Sequence, residues 1–133
     1  MKYLLDTSVL LQSLSSRNKL SHRAIVLLSD NSAELYLSAV SSWEITFKVA
    51  TGKLLLPESP AEFVTRAIRL LSLRLLDVTH LHAFAVGGLP SFHRDPFDRM
   101  LIAQARTEGM VLLTIDRTLG RYKVEQIYCG RSE

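Results

Sequence analysis

The sequence predicts an α/β fold, a three-layer α/β/α sandwich around a central, mostly parallel sheet of four to five strands. Short apolar runs alternate with segments of helical periodicity from residue 2 to residue 128. The run at 110–115, MVLLTI, is almost continuously apolar, the pattern of a parallel strand covered on both faces. A chain of 133 residues suits one domain, residues 1–133, and it contains no repeat, linker or low-complexity tract.

Taken in order, residues 2–5 form a first strand, and Asp6-Thr7-Ser8 ends it with residue types that favour helix starts. Val9, Leu10, Leu11 and Leu14 then follow helical spacing. A second helix is expected over 20–30 with Ser21 as its cap, and a second strand over 34–37. Ser38 caps the next helix, where Val40, Trp43, Phe47 and Ala50 recur at three- or four-residue intervals and predict a buried stripe. Glu44 falls beside that stripe, at the i,i+4 spacing for an ion pair with Lys48. Gly52 suits the helix end, a helix follows over 61–71, and residues 74–78 make a third strand. Thr79 caps a helix through Val86, closed by Gly87, Gly88 and Pro90. Asp95 as cap and Pro96 at the first helical position start a helix over 96–108 that Gly109 ends, with Asp98 in its first turn, where the dipole favours an anion. After the strand at 110–115, Asp116-Arg117-Thr118 opens a short helix closed by Gly120, and 124–128 forms a final strand.

Composition narrows the function. Hydrophobic residues at 47% and charged residues at 22% exclude wholesale disorder. Cys129 is the only cysteine, which excludes an internal disulfide and a cysteine-rich zinc site and suits a reducing cytosol. No apolar run reaches membrane-span length, and Asp6 interrupts what would be a signal peptide's apolar region, so a cytoplasmic protein with no membrane partner is expected. His80, His82 and His93 do not make a metal site by spacing: the first two are two apart and point to different helix faces.

The acids carry the signal. Asp6 and Asp116 are each the first polar residue after an apolar strand, so both belong at the carboxyl edge of the sheet, where ligands collect. Glu44 and Asp98 lie in the first turns of helices leaving that edge. Carboxylates gathered there repel one another, so a cation belongs with them. Oxygen donors without His or Cys select a hard ion, Mg²⁺ or Mn²⁺, and with it phosphate chemistry. Setting these four acids aside leaves nine against sixteen Lys and Arg, about +7 around an acidic pocket. Arg17, Lys19, Arg94 and Arg121 are candidate contacts for such a polyanion. A signalling receiver domain is disfavoured because Thr7, not a second acid, follows Asp6; a dehalogenase-type phosphatase, because Ser8 stands where its second Asp belongs.

Four motifs, YLLDTSVLL, SSWEITFKVATGKL from Ser41, HRDPFDRMLIAQA from His93 and LLTIDRTL from Leu112, together resemble a PIN-domain ribonuclease, the VapC-type toxin of type II toxin–antitoxin systems. They span nearly the whole chain in order. The resemblance implies a PIN-like fold and a metal-dependent endoribonuclease in which Asp6, Glu44, Asp98 and Asp116 are the catalytic quartet and hold the metal. Mg²⁺ is the implied ion, with Mn²⁺ able to substitute. Asp6 and Asp98 ligate directly, Asp116 holds a second or water-bridged ion, and Glu44 ligates or orients the attacking water. Thr7 and Thr114 are expected to hydrogen-bond the ligating carboxylates, with Asp95 remaining mainly a cap. The implied partners are an RNA substrate, a cognate antitoxin, and a second copy in a homodimer or toxin–antitoxin hetero-oligomer. The alternative is a non-catalytic RNA- or protein-binding module on the same fold. The chain departs from the family pattern at Gln12 and in the tail at 129–133.

Overall fold

A computed structural model describes residues 1–131. Five strands, β1 (Lys2–Leu5), β2 (Glu34–Ser38), β3 (Arg74–Leu76), β4 (Val111–Thr114) and β5 (Gln126–Tyr128), form one sheet in the order β3-β2-β1-β4-β5. Every pairing is parallel. The helices are α1 (Thr7–Ser15), α2 (His22–Leu28), α3 (Ala39–Ala50), α4 (Pro60–Leu71), α5 (His80–Val86) and α6 (Pro96–Glu108). Single 3-10 turns run over Arg17–Lys19 and Arg117–Arg121.

The strand alternation sorts side chains into two cores. Leu5 and Leu113, paired across β1 and β4, face a cluster with Val9, Leu10, Ala24, Phe63 and Ala67 from α1, α2 and α4. Leu4 and Leu112, also paired, face a cluster with Leu101, Ile102 and Ala105 from α6. Both faces of β1 and β4 are therefore dry, which is why these strands read as apolar runs. Truncating Leu4 or Leu112 to Ala costs about 2–5 kcal/mol, because each is enclosed on all sides.

Helix starts follow the expected caps: Ser21, Ser38, Ser59, Thr79 and Asp95 each accept from a first-turn amide of the following helix. Gly109 ends α6 in the left-handed region at φ +66°, a conformation that glycine adopts without Cβ strain.

Other expectations need correction. The stripe Val40, Trp43, Phe47, Ala50 is not the buried face of α3. Val40 is buried, but Trp43 is 61% exposed and Phe47 45%, and the face turned inward carries Val40, Ser41, Glu44 and Ile45. Trp43 meets the ring of Phe97 edge-on at 4.8 Å, so the aromatics lie over α6 from outside and leave the interior to the acid. The second helix is shorter than residues 20–30, because Leu20 forms an antiparallel bridge with Gly130 and Ser21 caps. Strands β3 and β5 are shortened to three residues each, and the turn after Asp116 runs through Gly120 to Arg121. Of the two departures from the family pattern, Gln12 leaves its Oε1 buried without a partner among the described residues. In the tail, Cys129 is fully buried and Arg131 donates to the Asn18 carbonyl at 3.0 Å, while Ser132 and Glu133 lie outside the described residues. Among the described residues, no helix is long and apolar enough to cross a membrane.

Candidate active site

The sheet order places the site. From β1 the chain builds outward on one side through β2 and β3, and on the other through β4 and β5, so the order reverses beside β1. At such a reversal the connections diverge and leave a crevice at the carboxyl ends of the strands. Asp6 directly follows β1, and Asp116 stands two residues beyond β4.

Asp6 occupies the N-cap position of α1, yet its side chain makes no capping bond. Its Oδ2 instead accepts from Thr114 Oγ1 at 2.8 Å and from Ser8 Oγ at 3.0 Å. Thr114 Oγ1 in turn accepts the Asp116 amide at 3.0 Å, so one hydroxyl ties the ends of β1 and β4 together. Thr7 does not touch a carboxylate, contrary to expectation: its hydroxyl donates to Ser41 Oγ at 2.9 Å and fastens α1 to α3. Ser8 takes the role expected of Thr7. The first helical turn carries Thr7 into the core and leaves Ser8 beside the acid.

Glu44 is buried on the inner face of α3. Its Oε2 pairs with Lys48 Nζ at 2.5 Å, the ion pair anticipated from the spacing, and its Oε1 is buried with no partner among the described residues. Asp98 sits in the first turn of α6, and Asp95 caps that helix by accepting from the amides of Phe97 at 2.8 Å and Asp98 at 3.4 Å. The division within HRDPFDR is thus visible: Asp95 starts the helix, and the Asp98 side chain is left for the crevice.

Electrostatics bind the four acids into one unit. Burial, and then the charges of Asp6, Asp95, Glu44 and Asp116, push the Asp98 carboxyl up to about 8. Burial also raises Asp6 against the pull of its hydroxyl donors, with Glu44 adding to the rise. Asp116 goes the other way: burial raises it, but bonds from Thr118 and His93 outweigh that and hold it below its usual value.

His93 is the residue that sequence reading missed. Its Nε2 lies 3.3 Å from Asp116 Oδ2 and 3.5 Å from Asp98 Oδ2, and the three ligand atoms fall within 4.8 Å of one another. Helical spacing could not reveal it, because it stands in the loop before α6; its place at the head of HRDPFDR was the available signal. Arg99 of the same motif fastens that loop, donating to the carbonyls of Pro90 at 2.8 Å and His93 at 3.4 Å. His80 and His82 stay apart from this group, His82 being fully buried against Glu108.

The residues present suit a hard divalent cation. Asp6 and Asp98, raised by burial and then by neighbouring acids, with the Glu44 Oε1 unpartnered among the described residues, form an oxygen-rich site short of positive charge. An apolar groove of about 590 Å³, lined by residues including Val40, Trp43, Val78, Val86 and Met100, opens near α3 and α6 and includes none of the four acids.

The family model for the PIN domain matches residues 3–125. The chain belongs to the PIN-domain family. No curated protein sequence is recognisably similar to it. Solved structures that share its fold include the following three. A chain of VapBC2 from Rickettsia felis, bound to a DNA fragment from its promoter, is 15% identical at TM-score 0.72, with 97% of this chain and 99% of that one covered. A chain of DNA-bound VapBC from Salmonella typhimurium is 18% identical at TM-score 0.60, covering 96% and 97%. A chain of a toxin–antitoxin complex from Klebsiella pneumoniae is 17% identical at TM-score 0.59, covering 86% and 87%.

Proposed function

We propose that this PIN domain is a divalent-cation-dependent endoribonuclease and the toxin of a toxin–antitoxin pair. Its family, in which nucleases are the rule, supports hydrolysis of nucleic acid. The observation that supports the finer reading is the acid cluster itself: Asp6, Glu44, Asp98 and Asp116 gather at the sheet edge, where burial and mutual repulsion disfavour their charged forms and a bound cation would favour them.

Asp6, Asp98 and Asp116 would hold the ion, Mg²⁺ or Mn²⁺, with Glu44 beside them. When bound, such an ion supplies Lewis acidity toward the phosphodiester and makes a nearby water easier to deprotonate. Thr114 and Ser8 orient the Asp6 carboxylate. Lys48 engages one oxygen of Glu44 and leaves the other to hold or accept a proton from water. The excess of basic residues elsewhere on the chain favours a polyanionic substrate, which under this reading is RNA. A protein antitoxin as partner is supported by the assemblies named for the structural neighbours, and the exposed Trp43 beside the apolar groove offers a surface for it. A homodimer and a cytoplasmic location belong to the same proposal.

Purified parent protein should cut RNA in Mg²⁺ and lose that activity in EDTA. Asp98→Asn or Asp6→Asn should lower the rate by more than about 100-fold while leaving the fold intact, a larger loss than changes to outer residues produce. Cleavage by Asp98→Asn at the parent rate would show the assignment to be wrong. In cells without the partner, the parent should arrest growth and both variants should not.

A further inference from the structure

We propose that His93 is a positioning residue for Asp98 and Asp116: its ring, held in one tautomer by the Asp95 amide, directs Nε2–H at the Asp116 carboxylate, sets Nε2 beside that of Asp98, and so fixes their mutual orientation for a cation. The inference rests on reading the acid cluster as a divalent-cation site.

The tautomer follows from the hydrogen bonds. The Asp95 amide donates to His93 Nδ1 at 3.0 Å, so that nitrogen must present its lone pair. The ring proton therefore sits on Nε2, which faces Asp116 Oδ2 at 3.3 Å and Asp98 Oδ2 at 3.5 Å. Two other roles are excluded by the same bond. As a metal ligand, Nε2 would need its lone pair, which moves the proton to Nδ1 and sets it head-on against the Asp95 N–H. As a general base, the ring has no free nitrogen, because one accepts from the backbone and the other already carries hydrogen.

The loop is built to hold this geometry. The His93 amide donates to Tyr122 Oη at 2.9 Å, and that hydroxyl donates to the Pro90 carbonyl at 3.0 Å. Arg99, from the first turns of α6, donates to Pro90 and His93 carbonyls. The backbone at His93 is thus fixed to α6 and to Tyr122, and a donor so placed adds no charge to a site that needs its negative charge for a cation. Groups that orient ligating side chains typically change metal affinity by 10–100-fold when lost.

Asparagine and glutamine separate the two nitrogens. The His93→Asn amide can take the place of Nδ1 but cannot reach the carboxylates, whereas His93→Gln places an N–H near the Nε2 position. Mn²⁺ binding to the full chain is measured by isothermal titration calorimetry, with thermal melting of each variant in parallel. His93→Asn is expected to bind Mn²⁺ about 10–100-fold more weakly, and His93→Gln within about threefold of the parent. Parent-like affinity in His93→Asn overturns the proposal and leaves the cation site standing. Equal losses in both variants overturn it too, since a donor at the Nε2 position would then not suffice, whatever their melting temperatures. A parent chain that binds no Mn²⁺ overturns the cation site and this inference with it.

Discussion

His82 and His93 use the same bonding pattern to different ends. In each, Nδ1 accepts a backbone amide at 3.0 Å, from Thr79 in one case and Asp95 in the other, and Nε2 faces carboxylate. His82 meets a single acid, Glu108 at 2.7 Å, joining the start of α5 to the end of α6; Gln104 of α6 also lies 3.2 Å from its Nδ1. His93 has one N–H for two acids, with two more behind them. The first arrangement balances donors against charge and holds two helices together. The second leaves negative charge over, which makes the carboxyl edge a place to bind a cation rather than a joint.

The surplus should appear most strongly in how stability depends on pH without metal. Folded Asp98 keeps its proton up to about pH 8, whereas the unfolded chain gives it up near 3.8, so the folded state binds more protons across that window. Stability then falls as pH rises through the window and is fully lost to this group above it. In EDTA, the melting temperature should be about 5–10 °C lower at pH 8.5 than at pH 5.5, and saturating Mn²⁺ should restore it. A flat profile would mean that the four acids are not coupled as described.

His82→Ala probes the balanced histidine. Removing a fully buried ring that bonds Thr79 and Glu108 should cost about 2–4 kcal/mol in denaturant unfolding. Cleavage per folded molecule should not change. Loss of cleavage with unchanged stability would erase the distinction between the two histidines. The smallest effect is expected from Asp95→Ser, because serine is about as good an N-cap as aspartate. Stability should stay within about 0.5 kcal/mol, and Mn²⁺ affinity within about threefold, if Asp95 only caps. A tenfold fall in affinity would move Asp95 from the helix start into the cation site.

Much of this was legible in sequence because it is local. Ser38 before α3, Asp95-Pro96 before α6 and the run feeding β4 each declare themselves within a few residues. The acids at strand ends follow from the same local rule once the sheet is taken as parallel. What failed was any inference that needed to know which side of an element faces inward. On α3 the apolar spacing of Trp43 and Phe47 pointed to the core, but the interior is given to Ser41 and Glu44, and the aromatics cover Phe97 from outside. A functional acid that must be buried inverts the amphipathic pattern around it. Thr7 and Ser8 are adjacent and chemically alike, and only the turn of α1 decides that Ser8 reaches Asp6. His93 belongs to a loop, where no periodicity tells which way a side chain points.

The central place of β1 in the sheet also has a bearing on biosynthesis. Of the five strands β1 is translated first, yet its partner β4 comes only after two further strands and six helices. Asp6 meets Thr114 across a separation of 108 residues, and closing so long a loop is among the slower events in folding. A nascent chain therefore carries Asp6 and Glu44 before the segment that supplies Asp98 and Asp116 has been made. The acid cluster is therefore complete only once the segment through Asp116 has been made and β4 has paired with β1.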